Sequence, residues 1–445
     1  MNSLLIFMNA YRLGKADRQK IEIVQLKRLQ KLVNFSRRHS PYLRDLYRDV
    51  PAHISNVAQL PITTKNELMS NFDSWVTDPK LSLVKLRAFL SQKETIGEKY
   101  LNNYYLCTTS GTTGEPAVIV HDKKSRTVYN AVGFFRSLMA RLNLVDLLTK
   151  VKLAAVVATD GHYLGYSTLM NRVKNSKLKQ KLQKVFSVLS PVDRLVTELN
   201  DFQPDILGGY PTAIYQLAKE QLLEKLNIHP YAITASGETL QPYMRETMEK
   251  AFGSVVINSY GASEVPGLTS ECKFKKLHIN SDWYILEIVD ERNVLVTNLS
   301  NYVQPIIRYK MNDYVVFDPQ PCECGSQHPV ISVVGRDDEI LGFVSAGGAN
   351  IEILPLAIAT AAEETEGVYQ SQIVQNSPVQ ITVRIKTLDG NDDTEVKDRT
   401  KHNLEKFLAT QGLSNVVVKV SDELPANNPN SGKFRSVIGY KPGMP

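Results

Sequence analysis

Cysteine is scarce. Four residues in a chain of 445 cannot make a disulfide framework, and Cys322 and Cys324 stand too close together to be read as one. A disulfide-built secreted scaffold is therefore excluded. Long apolar runs are missing too. The N-terminal stretch "LLIFM" is far shorter than a membrane span or a signal-peptide core, and no small-residue cleavage site follows it, so the chain is read as cytoplasmic. Charge of one sign is weak: 52 Lys and Arg against 46 Asp and Glu leave +6. With no basic stripe interleaved with aromatics, this argues against a dedicated nucleic-acid or membrane partner, although it suits small anions. What remains is 43% hydrophobic and 22% charged, the composition of an ordinary globular protein with room for two or three domains.

Periodicity organises the chain. Ile21 to Phe35 places Val24, Leu29, Leu32 and Val33 at near-helical spacing with basic residues between them, which predicts an amphipathic helix with a solvated basic face; a membrane-surface helix is the sharper alternative. Further on, Val128, Val132, Phe135, Leu138, Met139 and Leu142 fall on one helical face, and "LAAVVATDG" reads as a buried strand. Helix and strand then alternate through "DRLVTELNDFQPDILGGYP", "TAIYQLAKEQLLEKL", "YAITASGE", "QPYMRETMEKAFG" and "SVVINSYGASE". That is α/β organisation with motifs at strand ends. From "SVVGRDDEILGF" onward the pattern changes to short strands, "VQITVRIKT" and "NVVVKVSDEL", around the charged helix "TEVKDRTKHNLEKFLATQG". The expected architecture is a large N-terminal α/β domain, residues 1–335, with mixed sheets flanked by helices, and a small α+β domain, residues 336–445. There are no repeats.

Between two apolar runs lies "NNYYLCTTSGTTGEPAVIVHD", a loop of hydroxyls and glycines. It is not the Walker loop: Gly114 precedes Glu115 rather than Lys-Ser/Thr, and a strand-like run follows instead of a helix. Ser110, Gly111, Thr112, Thr113 and Gly114 can turn backbone N–H groups and hydroxyls toward a phosphate chain, or can form a plain polar hairpin.

Order along the chain separates these readings. "TTSGTTGEP" (108–116), "ASGETL" (235–240), "NSYGASE" (258–264), "RYKMND" (308–313), "VGRDDEIL" (334–341) and "NSGKFR" (430–435) form an ordered set. In this set the sequence resembles the acyl-adenylate-forming superfamily, and within it the phenylacetate-CoA ligase-like branch with its capsule-biosynthesis-type relatives. The resemblance runs from "RRHSPYLRDLY" and "LPITTKNELMSNF" to Lys433. It implies that a carboxylate attacks the α-phosphate of ATP to give acyl-AMP and pyrophosphate, and that a thiol, usually coenzyme A, then displaces AMP. Both reactants of the first step are anions, so the protein must supply donors, positive charge and positioning.

The resemblance assigns the parts. Residues 110–114 would hold the β- and γ-phosphates, and Thr109 at their head would be catalytic, together with Glu264 and Lys433. Glu264 matches a Mg²⁺-binding acid, with Gly261, Ala262 and Ser263 beside it. Ser236, Gly237, Glu238 and Tyr260 match the stretches that line adenine, Asp313 the acid that binds the ribose hydroxyls, and Arg336 its partner. Lys433 matches the lysine that the mobile small domain brings in for adenylation, with a hinge at Asp338. Read alone, Asp313 is a turn residue, Glu264 a helix-start acid, Arg336 a surface ion-pair residue and Lys433 a solvated loop lysine. One position departs from the pattern. Glu115 stands where many members carry Lys, and a carboxylate near a triphosphate is unfavourable unless it points away or joins the metal.

"TDGHYLGYSTL" and "GGYPTAIY" lie where this branch builds its acid pocket. His162, Tyr163, Tyr166 and Tyr210 offer aromatic walls with polar tips for an aromatic or medium-sized acid, or else belong to core packing. Cys272, His278, Cys322 and Cys324 supply three thiolates and an imidazole, the stoichiometry of a closed structural Zn²⁺ site, with His328 as a spare; free buried thiols are the alternative. The sequence thus reads as an ATP- and Mg²⁺-dependent acid:coenzyme A ligase, monomeric or homodimeric. Its rivals are an adenylating enzyme that loads a carrier-protein thiol or an amine, and a nucleotide-binding regulator without turnover.

Overall fold

The hydroxyl loop hangs from an antiparallel pair of short strands, β1 (Tyr105–Thr108) and β2 (Val118–His121), paired from Tyr105↔His121 to Thr108↔Val118. The computed structural model describes residues 3–109, 116–138, 151–159, 161–174, 176–290, 293–336, 340–363, 365–388, 390–428 and 433–440. Ser110 to Glu115, and Met139 and Leu142 of the expected helix face, lie outside them, as does Asp338. Two units divide the chain: Met1–Met311 with Val316–Ser332, and Asn312–Val315 with Val333–Pro445.

In the first unit, β3 (Leu153–Val157), β4 (Gln183–Ser187), β5 (Ile206–Gly209), β6 (Ala232–Ser236) and β7 (Val255–Ser259) form one sheet in the order β4-β3-β5-β6-β7. Every neighbouring pair is parallel. β3, β5, β6 and β7 are largely apolar, as strands of a covered parallel sheet are, whereas the edge strand β4 carries the exposed Lys184. The helix Val192–Phe202, for instance, turns Leu195, Val196, Leu199 and Phe202 inward, and each such side chain contributes about 1.5–3 kcal/mol when fully buried. Gly209 lets the strands approach: a Cβ there would stand 2.4 Å from the Val156 carbonyl oxygen. The ends of β5, β6 and β7 stay in step through Gly209↔Ala235 and Ser236↔Ser259.

Smaller sheets follow. β8 (Thr269–Glu271) and β9 (Leu277–Ile279) form a hairpin. β10 (Tyr284–Asp290), β11 (Asn293–Asn298) and β12 (Tyr309–Met311) make an antiparallel three-stranded sheet. β13 (Asp313–Asp318) and β14 (Val330–Arg336) join the hairpin in the order β13-β14-β9-β8. In the second unit β15 (Leu341–Val344) pairs with β16 (Asn350–Ile353). A further sheet, β17 (Val368–Ser377), β18 (Gln380–Thr387), β19 (Val417–Ser421) and β20 (Val437–Ile438), runs in the order β19-β18-β17-β20. The helices Pro355–Glu363 and Asp393–Thr410 share its core, which includes Ile358, Ile381, Val383, Val396 and Leu404.

Two helices differ from the sequence expectation. Val128 and Val132 are buried on the helix Lys123–Val132, but the chain then widens into a π-helical turn, Gly133–Leu138, which shifts the face that the spacing extended onward. The helix Ser3–Gly14 contains the "LLIFM" run and was not legible. It buries Ile6, Ala10 and Leu13 at helical spacing while Leu4, Leu5, Met8 and Tyr11 stay exposed, so apolar residues surround its axis and blur the amphipathic signal. No helix among the described residues is long and apolar enough to cross a membrane.

Candidate functional site

Parallel strands align their carboxyl ends, and ligands in such sheets bind there. Here β3 leads to His162 and Tyr163, β5 to Tyr210, β6 ends on Ser236 and leads into Gly237 and Glu238, and β7 leads through Tyr260, Gly261, Ala262 and Ser263 to Glu264. The sheet thus brings to one edge four segments that are far apart in sequence. Gly237 has φ +88°, a conformation that suits glycine, and a Cβ there would press within 3.0 Å of the Tyr210 ring. Tyr210 in turn lies within electrostatic reach of Glu238 and Tyr163. Burial first, and then the Glu238 carboxylate, push its phenol up to about 12. Glu238 Oε2 accepts from the Thr212 hydroxyl at 2.7 Å and the Thr212 N–H at 3.2 Å. His162 is buried, its Nε2 at 3.3 Å from both the Gln92 carbonyl oxygen and Thr95 Oγ1. Tyr166 is half-buried on the helix Leu164–Lys174.

Thr109 closes the neck of the hydroxyl loop. Its N–H donates to the Ala117 carbonyl at 3.1 Å, and its hydroxyl accepts from the Ala117 N–H at 2.9 Å. One residue earlier, the Thr108 N–H donates to the His162 carbonyl at 2.9 Å, which ties the loop's base to the β3 segment.

Glu264 is buried, and Oε1 accepts from the Tyr309 hydroxyl at 3.1 Å. The neighbouring Ser263 carbonyl accepts from His121 Nε2 at 3.0 Å, while His121 Nδ1 lies 3.2 Å from the Tyr129 hydroxyl. Burial first, and then Arg126, drive the His121 pKa down to about 3, so the ring is neutral. Cys107 is also buried, and burial and then Glu264 raise its thiol to about 12. His121, Cys107 and Tyr309 thus brace the segment that ends in Glu264. None was assigned this role from the sequence, although Tyr309 stands inside "RYKMND", since each lies far along the chain from what it touches. In "RYKMND", Arg308 is structural: Nε and Nη2 reach Glu287 at 3.1 and 3.0 Å, and Nη1 reaches the Leu60 carbonyl at 2.6 Å.

The remaining candidates belong to other segments. Asp313 opens β13, and Arg336 closes β14. Lys433 is half-buried, and its carbonyl accepts from the Asn428 N–H at 2.9 Å. Phe434 beside it is buried.

The cysteines converge. Ligand atoms of Cys272, His278, Cys322 and Cys324 all lie within 4.8 Å of one another. Cys272 and His278 come from the β8–β9 hairpin, whose turn is closed by the Lys275 N–H on the Cys272 carbonyl at 3.0 Å, with Lys275 at φ +58°. Cys322 and Cys324 sit on a second turn, closed by the Gly325 N–H on the Cys322 carbonyl at 3.0 Å. Cys272 Sγ lies 3.7 Å from Cys322 Sγ, and Cys324 Sγ lies 3.3 Å from His278 Nε2. Thiolates around one tetrahedral Zn²⁺ at bonds of about 2.3 Å stand about 3.8 Å apart, so the spacing fits an ion and not a disulfide of about 2.05 Å. His278 Nδ1 donates to the His328 carbonyl at 2.8 Å, which fixes the tautomer and leaves Nε2 for a metal. His328 is no ligand of this cluster: its ring lies 2.8 Å from Ser281 Oγ and 3.1 Å from the Leu13 carbonyl.

A family model described as AMP-binding enzyme matches residues 49–285, just over half of the chain. Protein CapK of Staphylococcus aureus is 24% identical over 395 residues, covering 86% of this chain and 82% of CapK. A phenylacetate-coenzyme A ligase of Thermus thermophilus is 24% identical over 475 residues, covering 95% and 97%. Among solved structures, 2-hydroxyisobutyryl-CoA ligase in the postadenylation state superposes with a TM-score of 0.70 at 18% identity, over 97% of this chain and 92% of that one.

Proposed function

Since the chain belongs to the AMP-binding enzyme family, we propose that it activates a carboxylic acid with ATP and passes the acyl group to coenzyme A. The observation that carries this reading is the convergence of four motif-bearing segments at the carboxyl edge of one parallel sheet, with the neck of the hydroxyl loop tied to one of them. The name shared by a relative that spans 95% of the chain and another that spans 71% of it supports this reading. In the first step a carboxylate oxygen bonds to the α-phosphorus and pyrophosphate leaves. In the second, the coenzyme A sulfur bonds to the acyl carbon and AMP leaves. ATP would lie with its phosphates at residues 110–114 and its base along Ser236, Gly237, Glu238 and Tyr260; Asp313 would bind the ribose, with Arg336 as its partner.

Glu264 would hold Mg²⁺, which neutralises phosphate charge when bound. A buried carboxylate oriented by a phenol is a fitting donor, and the Tyr309 hydroxyl acts as its support. Tyr309→Phe should raise the Mg²⁺ concentration for half-maximal rate by about tenfold. An unchanged Mg²⁺ titration would remove Glu264 from that role. His162, Tyr163, Tyr166 and Tyr210 would face an aromatic or medium-sized acid. Pyrophosphate release across a panel of acids, with and without coenzyme A, tests the whole reading. Release that needs an acid, with a thioester formed only when coenzyme A is present, supports it; no release with any acid refutes it.

The cysteine cluster would hold a structural Zn²⁺ that joins the β8–β9 hairpin to the turn before β14. Four protein donors leave no open position, so the ion contributes folding energy and not catalysis. Elemental analysis should give one zinc per chain, and chelation should lower thermal stability. Metal-free protein that is indifferent to chelator would overturn the assignment.

A further inference from the structure

Arg126 lies on the helix Lys123–Val132 without a carboxylate partner among the described residues. Its guanidinium donates to Thr168 Oγ1 at 3.1 Å and lies over the Tyr105 ring, 4.1 Å from the centroid. Arg172, close enough to repel it, has the Asn130 side-chain oxygen at 3.0 Å and likewise no acid. A guanidinium withdrawn from water is usually matched by a carboxylate, because desolvation of an unpaired charge is costly. Here burial is the main cause that pulls the Arg126 pKa down, and only phenols and a thiol oppose it. Glu98, an acid that lines the same cleft, is already paired with Lys174 at 3.0 Å. Among the described residues, neither Arg126 nor Arg172 is paired with a carboxylate.

The guanidinium opens onto a cleft shared with Tyr105, Cys107, His121, Ser167 and Thr168. Ser167 is 9% exposed, and its hydroxyl has no hydrogen-bond partner among the described residues. A buried orphan donor beside an unpaired cation is what an anion site looks like before it is filled. The cleft is narrow and open to the surface, so it suits one terminal group and not a whole ligand. One guanidinium fork and a hydroxyl match the two oxygens and single charge of a carboxylate better than a phosphate monoester, with its third oxygen and nearly two charges. The walls connect this cleft to the proposed chemistry. Cys107 and His121 lie on the strands that carry the hydroxyl loop, and His121 holds the Ser263 carbonyl next to Glu264.

We propose that this cleft is a carboxylate-binding subsite in which Arg126 and the Ser167 hydroxyl hold the far end of the acid, so that the acid activated is a dicarboxylate. The proposal rests on the adenylation reading for the near end only. Isothermal titration of the full chain, without ATP, should compare a chain-length series of dicarboxylic acids with the matched monoacids that carry a methyl group in place of the second carboxyl. At least one pair should separate by about tenfold or more, the range of charge-assisted hydrogen bonds. Arg126→Met should collapse that ratio, Arg126→Lys should restore part of it, and Ser167→Ala should reduce it without touching the helix. No separation in any pair on the unmodified protein overturns the subsite, as does a ratio that survives Arg126→Met. Pyrophosphate release from the same acids keeps the two readings apart. A separation in binding with no release from any acid leaves the subsite standing and sinks adenylation; release without separation does the reverse.

Discussion

Lys433→Ala should slow acyl-adenylate formation at least about a hundredfold, while transfer from supplied acyl-AMP to coenzyme A stays within several-fold of the unmodified protein. The asymmetry follows from where charge develops. When the carboxylate attacks the α-phosphate, negative charge builds on the phosphate oxygens and the bridging oxygen, and one positioned ammonium can supply roughly 3 to 4 kcal/mol against it. Thioester formation places no such demand, and in the family the small domain has by then carried the lysine away. The chain around Lys433 is suited to presenting a side chain: the Asn428 N–H holds its carbonyl, buried Phe434 anchors the next residue, and β20 follows at Val437. Single-turnover measurement of each half-reaction tests the claim. Equal losses in both steps would refute alternation, and no loss in either would return Lys433 to the surface.

Most of the large sheet was legible because β3, β5, β6 and β7 are apolar runs that alternate with helices whose inward residues keep helical spacing, as Leu195, Leu199 and Phe202 do; the edge strand β4, with polar Gln183 and Lys184, was not. Motif position was legible for the same reason, since "ASGE" and "NSYGASE" directly close β6 and β7. The cysteine cluster was legible from stoichiometry alone. Contacts between distant segments were not. Arg126 sits in "HDKKSRTVYN", which reads as one more basic helix face; only the fold sets it over Tyr105 and beside Thr168, 42 residues on. Arg308 misleads in the other direction, since it stands inside a motif beside Asp313 yet is taken up by Glu287 and the Leu60 carbonyl.

Asp282 is the most hidden of these, because its partner Arg28 lies 254 residues away. The carboxylate is fully buried, with Arg136 Nη1 at 2.6 Å from one oxygen and Arg28 Nη1 at 3.0 Å from the other. Arg28 also stacks on the Trp283 ring at 3.3 Å, and Arg136 reaches the Ala10 carbonyl at 3.0 Å. One carboxylate therefore joins three helical segments: Ser3–Gly14, Arg18–His39 and the turn Gly133–Leu138. Asp282→Asn keeps the shape and removes the charge, so two guanidiniums remain buried against each other. A buried pair broken on one side costs about 3–5 kcal/mol, and the urea midpoint at neutral pH should fall accordingly. Acid should act on the unmodified protein in the same direction. Burial pushes the Asp282 pKa up, but Arg136 and then Arg28 overcome it and hold the group below its ordinary value. Folding thus favours the charged form. Its contribution is complete above the unfolded value of about 3.9 and is lost as pH falls through the lower folded value. The Asn variant should lack that part of the acid-side slope. A loss below about 1 kcal/mol at neutral pH, or an acid slope identical in both proteins, would mean that the two arginines find water without Asp282.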